Sequence, residues 1–257
     1  MAGYLDSLSG VAKANAQILI DRLKAKGITN PNTIAGILAV VSKESGFIPK
    51  SENMNYTTAE SISKVFGLPL ETAKLYVKKP KELGDYVYGP KRKPTLGNGE
   101  GEGYKYRGSG LNQLTGRANM KKYGALVGVD LVANPEKLND MKVASDVVIE
   151  FFKNGINSLK ALGKLSQYNA TNINDFKTAK DSVQAIYHIN AGTGQTKAHL
   201  DADVTGGRAK AVGRVEELLG LVNGTLGVVK KNLGKTIVLT LLVGAAITGI
   251  VMYSIKN

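Results

Sequence analysis

The 257-residue chain contains no cysteine, which excludes a disulfide framework and a thiolate metal site. Histidine is scarce as well: His188 and His199 are the only imidazoles, so a metalloenzyme is not expected and no cofactor is predicted. The first twenty residues carry Asp6 and lack the compact apolar run and small-residue cleavage site of a secretory signal peptide. There is no internal repeat, no low-complexity tract and no convincing strand pattern, and no acidic residue follows Glu217.

What is present is enough apolar material, 43% of residues, to bury one sizeable core. Thirty-four Lys and Arg against 21 Asp and Glu leave a net charge of +13. That excess points to an anionic partner: nucleic acid, an anionic membrane face or the acidic bacterial cell wall. Charge alone does not choose among them.

The apolar spacing predicts a mainly α fold. Leu5, Leu8, Ala12, Ala16, Leu19 and Leu23 recur at three and four over residues 4–26, the stripe of an amphipathic helix that Gly27 ends. Asn30 and Pro31 open a second helix reaching Glu44. Thr57 or Thr58 caps a third, with Glu60 within capping distance. Helical spacing recurs over 70–77, 81–87, 116–127, 141–155 and 180–190, and a last helix is expected over 208–221. Residues 89–103, rich in glycine, proline and charge, read as a long loop of the kind that is usually functional or disordered. At most a small hairpin near 47–56, or an irregular lobe, is allowed for beside the helices.

The chemistry is sought in residues 41–56, VSKESGFIPKSENMNY, which hold two carboxylates, Glu44 and Glu52. Glu44 closes an apolar helix and is followed by Ser45 and Gly46. A helix C-terminus disfavours an anion, and Phe47, Ile48 and Pro49 adjoin it. Such a setting favours the neutral acid that general-acid catalysis needs. Glu52, in a polar loop beyond Pro49, is expected to stay ionised, so that one pair of like groups takes two roles.

At the other end, residues 236–255 (TIVLTLLVGAAITGIVMYSI) form an uncharged run. As a helix it would extend roughly 30 Å, the thickness of a bilayer core. The expectation is a single C-terminal transmembrane helix, preceded by a basic juxtamembrane linker over 218–235 and a catalytic domain over 1–217. Lys230, Lys231 and Lys235 would touch anionic headgroups.

Glycine density then rises in residues 104–117, YKYRGSGLNQLTGR. The spacing fits neither a dinucleotide fingerprint nor a phosphate loop. With KESG at 43–46, ENMNYT at 52–57, VYG at 87–89, LGN at 96–98, GEGYKYRGSGLNQLTGRANM at 101–120 and INAG at 189–192, the chain resembles the chitinase-like glycoside hydrolase family 19, specifically its bacteriophage lysozymes and endolysins. The resemblance implies a lysozyme-like helical domain that hydrolyses β-1,4 bonds between amino sugars, here in peptidoglycan, with inversion. It makes Glu44 the general acid and Glu52 the general base, with Thr115 helping to hold the attacking water. Gln113, Tyr106 and Asn190 would line the sugar cleft. Inversion needs the two carboxyls roughly 6.5–9.5 Å apart.

Three positions depart from that pattern. Lys43 stands where the family commonly has histidine, a double glycine is reduced to Gly46, and an arginine of the glycine motif is Ser109. A cation beside a carboxyl favours its ionised form, so the Lys43 side chain is expected to point away from Glu44. Glu100 and Glu102 are alternative bases. The competing readings are a lytic transglycosylase using Glu44 alone and an inactive cell-wall-binding virion membrane protein; nucleic-acid binding is supported only by charge. The lysines flanking 236–255 place the enzyme on the cytoplasmic face. This leads to the expectation of a virion-associated lysin in the internal membrane of a virus, otherwise in the host membrane, with peptidoglycan strands, lipid and other virion proteins as partners.

Overall fold

A computed structural model describes residues 8–192 and, near the C-terminus, 210–215, 217–220 and 222–223. Eight α-helices follow in order: α1 Gly10–Ala25, α2 Pro31–Ser45, α3 Ala59–Phe66, α4 Leu70–Lys74, α5 Pro80–Val87, α6 Arg117–Val127, α7 Met141–Ala161 and α8 Ala179–Ala191. Helical residues at 210–215, 217–220 and 222–223 come last.

The centre is α2. Every residue from Thr33 to Ser42 is buried, so the helix is covered on all sides rather than along one stripe. Its start is set by Asn30, whose side chain accepts from the Asn32 and Thr33 amides at 2.8 and 3.4 Å, and by Pro31 in the first turn. It lies closest to α8: a Cβ at Gly36 would sit 2.2 Å from Ser182 Oγ. Helices α1, α7 and α8 complete this core, and Ala211, Val215, Leu218 and Val222 of the C-terminal helical residues are buried in it too. Leu218 and Val222, expected in a linker, are therefore packed core residues.

Two smaller cores stand beside it. Met54, Ile62, Leu68, Ala73, Leu83 and Val87 gather α3, α4 and α5 under a layer of tyrosines. Tyr106, Leu114, Met120, Tyr123, Leu131 and Leu138 fill the space between the glycine-rich segment, α6 and Val147 of α7.

Helix starts and stops follow the sequence rules closely. Thr58 caps α3 by accepting from the Ser61 amide; Glu60 falls one place too early to close a capping box. Gly46 ends α2 and Gly67 ends α3 in the left-handed conformation.

Of the two forms allowed for 47–56, the irregular one is found: no strand occurs among the described residues, and an isolated bridge pairs Ser109 with Leu114 instead. No hairpin forms there because Lys50 and Glu52 make backbone hydrogen bonds to Gly110 and Gly108, not to one another. One expectation is corrected, the transmembrane helix and the membrane location drawn from it. Among the described residues no helix is long and apolar enough to cross a membrane. The longest, α7, carries Lys142, Asp146, Glu150, Lys153 and Lys160, and the run 236–255 lies outside the described residues.

Candidate active site

Glu44 is the penultimate residue of α2. Its Oε1 accepts from Asn190 Nδ2 at 3.0 Å, so the last turn of α8 orients it. Lys43 Nζ reaches the same oxygen at 2.7 Å, contrary to the expectation that it would turn away. The Lys43 ammonium also lies 5.9 Å from the centre of the Tyr187 ring, so α8 supplies a second reason for it to lie across the carboxyl. The acid side chain is 15% exposed. Among the described residues both contacts are made at Oε1, which leaves Oε2 without one.

The chain leaves α2 through two consecutive left-handed residues, Gly46 (φ 59°) and Phe47 (φ 63°). Phenylalanine in that region costs on the order of 1–3 kcal/mol. Burial of the ring in the main core offsets this, and Asn15 Nδ2 anchors the Phe47 carbonyl at 2.9 Å. This forced turn sends Lys50–Glu52 alongside the glycine-rich segment. The Glu52 amide donates to the Gly108 carbonyl at 2.7 Å, and the Gly110 amide to Lys50 O at 3.1 Å.

Glu52 is held by different donors from those on Glu44. Tyr88 Oη donates to Glu52 Oε2 at 2.7 Å, and Arg107 Nε to the Glu52 carbonyl at 2.9 Å. Burial and the adjoining Glu52 carboxylate push the Tyr88 phenol far above its ordinary range, so it stays neutral and donating. The Tyr56 phenol shifts upward for the same two reasons. The Arg107 guanidinium stacks on Tyr104 at 4.1 Å from the ring centre and donates to the Tyr104 carbonyl.

Gln113 and Thr115 sit over Gly108, where an added Cβ would lie 3.0 Å from Gln113 Oε1 and 3.5 Å from Thr115 Oγ1. That close approach explains the glycine. The Gln113 amide is committed to the Lys50 and Gly110 carbonyls at 3.0 and 3.1 Å, so its Nε2 shapes the turn carrying Glu52. Gln113 itself has φ +54°, another left-handed non-glycine residue, here held by its own side chain. Thr115 Oγ1 donates to the Gln113 carbonyl at 3.0 Å, and its lone pairs remain for a water.

Five of the six expected residues thus fall into two groups, Glu44 with Asn190, and Glu52 with Gln113 and Thr115 across Gly108. Tyr106 belongs to neither. It is 1% exposed, its hydroxyl donates to the Val132 carbonyl at 3.0 Å, and a ring so enclosed offers no face to a sugar. Glu102 turns into its own loop, accepting from the Gly99 amide at 2.7 Å. Glu100 is exposed and 3.8 Å from Lys91.

Tyr88 and Arg107, neither singled out by the sequence motifs, are the side chains that contact Glu52. Tyr88 lies in the VYG segment that contributed to the resemblance. Asn98 of LGN explains how that segment is aimed. It is buried, donates to the Tyr88 carbonyl at 2.8 Å and accepts from the Arg117 amide at 2.7 Å, fastening the long loop to the start of α6. Among the described residues no group of His, Asp and Glu is arranged to hold a metal.

No family model matches the chain. It is similar to a glycosyl hydrolase family 19 domain-containing protein of Haemophilus influenzae, 36% identical over 122 residues. The match covers 45% of this chain and 58% of that protein, so the chain spans little more than half the relative's length. That relative's description names the same family 19 that the motifs of this chain resemble.

Proposed function

We propose that the chain is a glycoside hydrolase that cleaves the β-1,4 bonds of peptidoglycan glycan strands by direct displacement with inversion. The observation that carries this reading is the pair of carboxylates with unlike surroundings on either side of one turn. Glu44 is held by Asn190 and Lys43, and Glu52 by Tyr88. In this reading Glu44 gives a proton through Oε2 to the leaving oxygen, and Glu52 takes one from a water. Thr115, whose hydroxyl hydrogen is spent on Gln113 O, accepts a hydrogen bond from that water. The leaving sugar takes the proton from Glu44, and the anomeric carbon takes the hydroxyl on the opposite face.

A second reading is favoured by Lys43. Its ammonium is ion-paired with Glu44 Oε1 at 2.7 Å, across the carboxyl that would have to reach the leaving oxygen, which suits a protein that binds cell wall without turnover. The test is a mass-spectrometric digest of peptidoglycan by the full chain and by Glu44→Gln and Glu52→Gln variants. Reducing ends released by wild type and lost in both variants support the hydrolase. Anhydromuramic ends, or full activity in Glu52→Gln, assign a lytic transglycosylase. No products at any pH leave the binding protein.

A further inference from the structure

The long loop delivers three consecutive cations, Lys91, Arg92 and Lys93, to the neighbourhood of Glu52. It is a built feature. The Arg92 and Lys93 amides both donate to the Gly89 carbonyl, at 3.2 and 2.9 Å, and a 3-10 turn at Pro94–Leu96 follows. Arg92 lies over the Tyr86 ring at 5.2 Å, and Tyr86 stacks on Tyr76 at 4.9 Å with an interplanar angle of 21°. Lys93 Nζ lies 5.0 Å from the centre of the Tyr88 ring, the same tyrosine whose hydroxyl holds Glu52.

Two adjacent side chains of like charge repel, and here both are held by aromatic faces while neither is ion-paired among the described residues. Lys91 has only Glu100, at 3.8 Å, and is 89% exposed. Among the described residues neither side chain donates a hydrogen bond, so their N–H donors remain for a ligand. Uncompensated donors one tyrosine away from a candidate general base suit an anionic group on the substrate itself.

We propose that Arg92 and Lys93 form a specificity rim that recognises carboxylates of the peptide stems on the glycan strand, and so prefers peptidoglycan to neutral amino-sugar polymers. This rests on the glycoside hydrolase reading for its substrate. The rim acts on binding, since neither residue touches Glu44 or Glu52. Arginine offers a planar fork to a carboxylate and lysine a point charge beside it.

The experiment compares intact peptidoglycan sacculi with the same sacculi after conversion of their carboxyls to amides. Full-length wild type, an Arg92→Gln/Lys93→Gln variant and a charge-matched Lys26→Gln/Lys160→Gln control are each measured for co-sedimentation and for release of reducing ends. Lys26 follows α1 and Lys160 lies in the last turn of α7, both outside the loop. The rim variant is expected to lose about tenfold in binding to native sacculi and under twofold on amidated sacculi, with a matching rise in KM and an unchanged kcat. The control should lose little, and equally, on both. Equal losses for the rim variant and the control, or a loss that persists on amidated sacculi, would overturn the proposal; the latter would assign the rim to wall phosphates. If wild type releases no reducing ends from either substrate, the hydrolase reading fails while the binding contrast still decides the rim. Melting curves matching wild type show that the exposed substitutions leave the fold intact, and a Lys93→Glu variant that binds amidated sacculi better than native ones would be a second, independent confirmation.

Discussion

Replacing Tyr88 by phenylalanine removes a single oxygen and tests how Glu52 is aimed. The ring should stay in place: it meets Phe66 edge-on at 6.4 Å and 89°, and Asn98 holds its backbone. What is lost is a 2.7 Å hydrogen bond to Glu52 Oε2. A hydrogen bond to a charged group is worth about 1.5–3 kcal/mol. Glu52 is only half-buried, so water replaces part of it and the lower end applies, about 1.5–2 kcal/mol. If the bond orients the base, that loss appears in the transition state as a roughly ten- to thirtyfold fall in kcat. KM should change less than twofold, because Tyr88 acts on Glu52 and not on the sugar. The assay is initial-rate release of reducing ends from peptidoglycan with a melting curve alongside. In a Glu52→Gln background the same substitution should have no further effect, since the two residues act as one unit. A kcat within threefold of wild type in a folded Tyr88→Phe protein would refute the orientation of Glu52 by Tyr88.

Other outcomes follow from single contacts. A Lys43→Gln variant removes the cation from Glu44 and keeps a hydrogen-bond donor, so turnover at neutral pH is expected to rise severalfold; a fall would assign Lys43 to holding the acid. Gly36→Ala would drive a methyl to 2.2 Å from Ser182 Oγ and 2.9 Å from the Ser182 backbone. Overpacking between α2 and α8 should cost about 1–3 kcal/mol, read by urea unfolding, and an unchanged midpoint would contradict the close approach. The raised Tyr88 phenol contributes stability that is fully present below its unfolded value of 10.0 and is lost as pH climbs towards its folded value. Alkaline titration should therefore destabilise wild type more steeply than Tyr88→Phe, and parallel curves above pH 10 would count against a buried phenol. The Asp175 carboxyl, bonded by Lys177 and Thr171, is drawn from 3.8 down to about 2. A carbon-13 titration should find its midpoint there, and a midpoint near the ordinary value would show that those bonds do not persist in solution.

Local signals carried most of the helical boundaries. Asn30–Pro31 starts α2, Thr58 starts α3 and Gly46 stops α2, because caps and left-handed glycines act over a few residues and leave their mark in a few letters. Whether 47–56 forms a small hairpin or an irregular lobe stays open in the sequence for the opposite reason. Whether an extended segment pairs with itself or with a partner some 60 residues away is a tertiary choice, and Glu52 takes Gly108. The membrane helix rested on composition alone, and the described helices, amphipathic or buried within the domain, include none that could cross a bilayer.

For the candidate site, the residue types at 44, 52, 113, 115 and 190 were legible as motifs, since chemistry restricts which side chains can donate, accept or hold a water. Their partners were not. Tyr106 looked like a sugar platform because an aromatic beside glycines reads the same in sequence whether its ring faces solvent or the core; packing against Leu131 and Leu138 turned it inward. Tyr88 became the donor to Glu52 only because Asn98 and Phe66 aim it, and Lys43 met Glu44 because Tyr187 of α8 lies beside it. By itself, the sequence determined a helical chain with two carboxylates near the end of its central helix and a glycine-rich segment to receive the second. Tertiary structure decided which groups touch those carboxylates, because orientation depends on side chains brought together from segments 36 and 146 residues apart, a relation that no local spacing encodes.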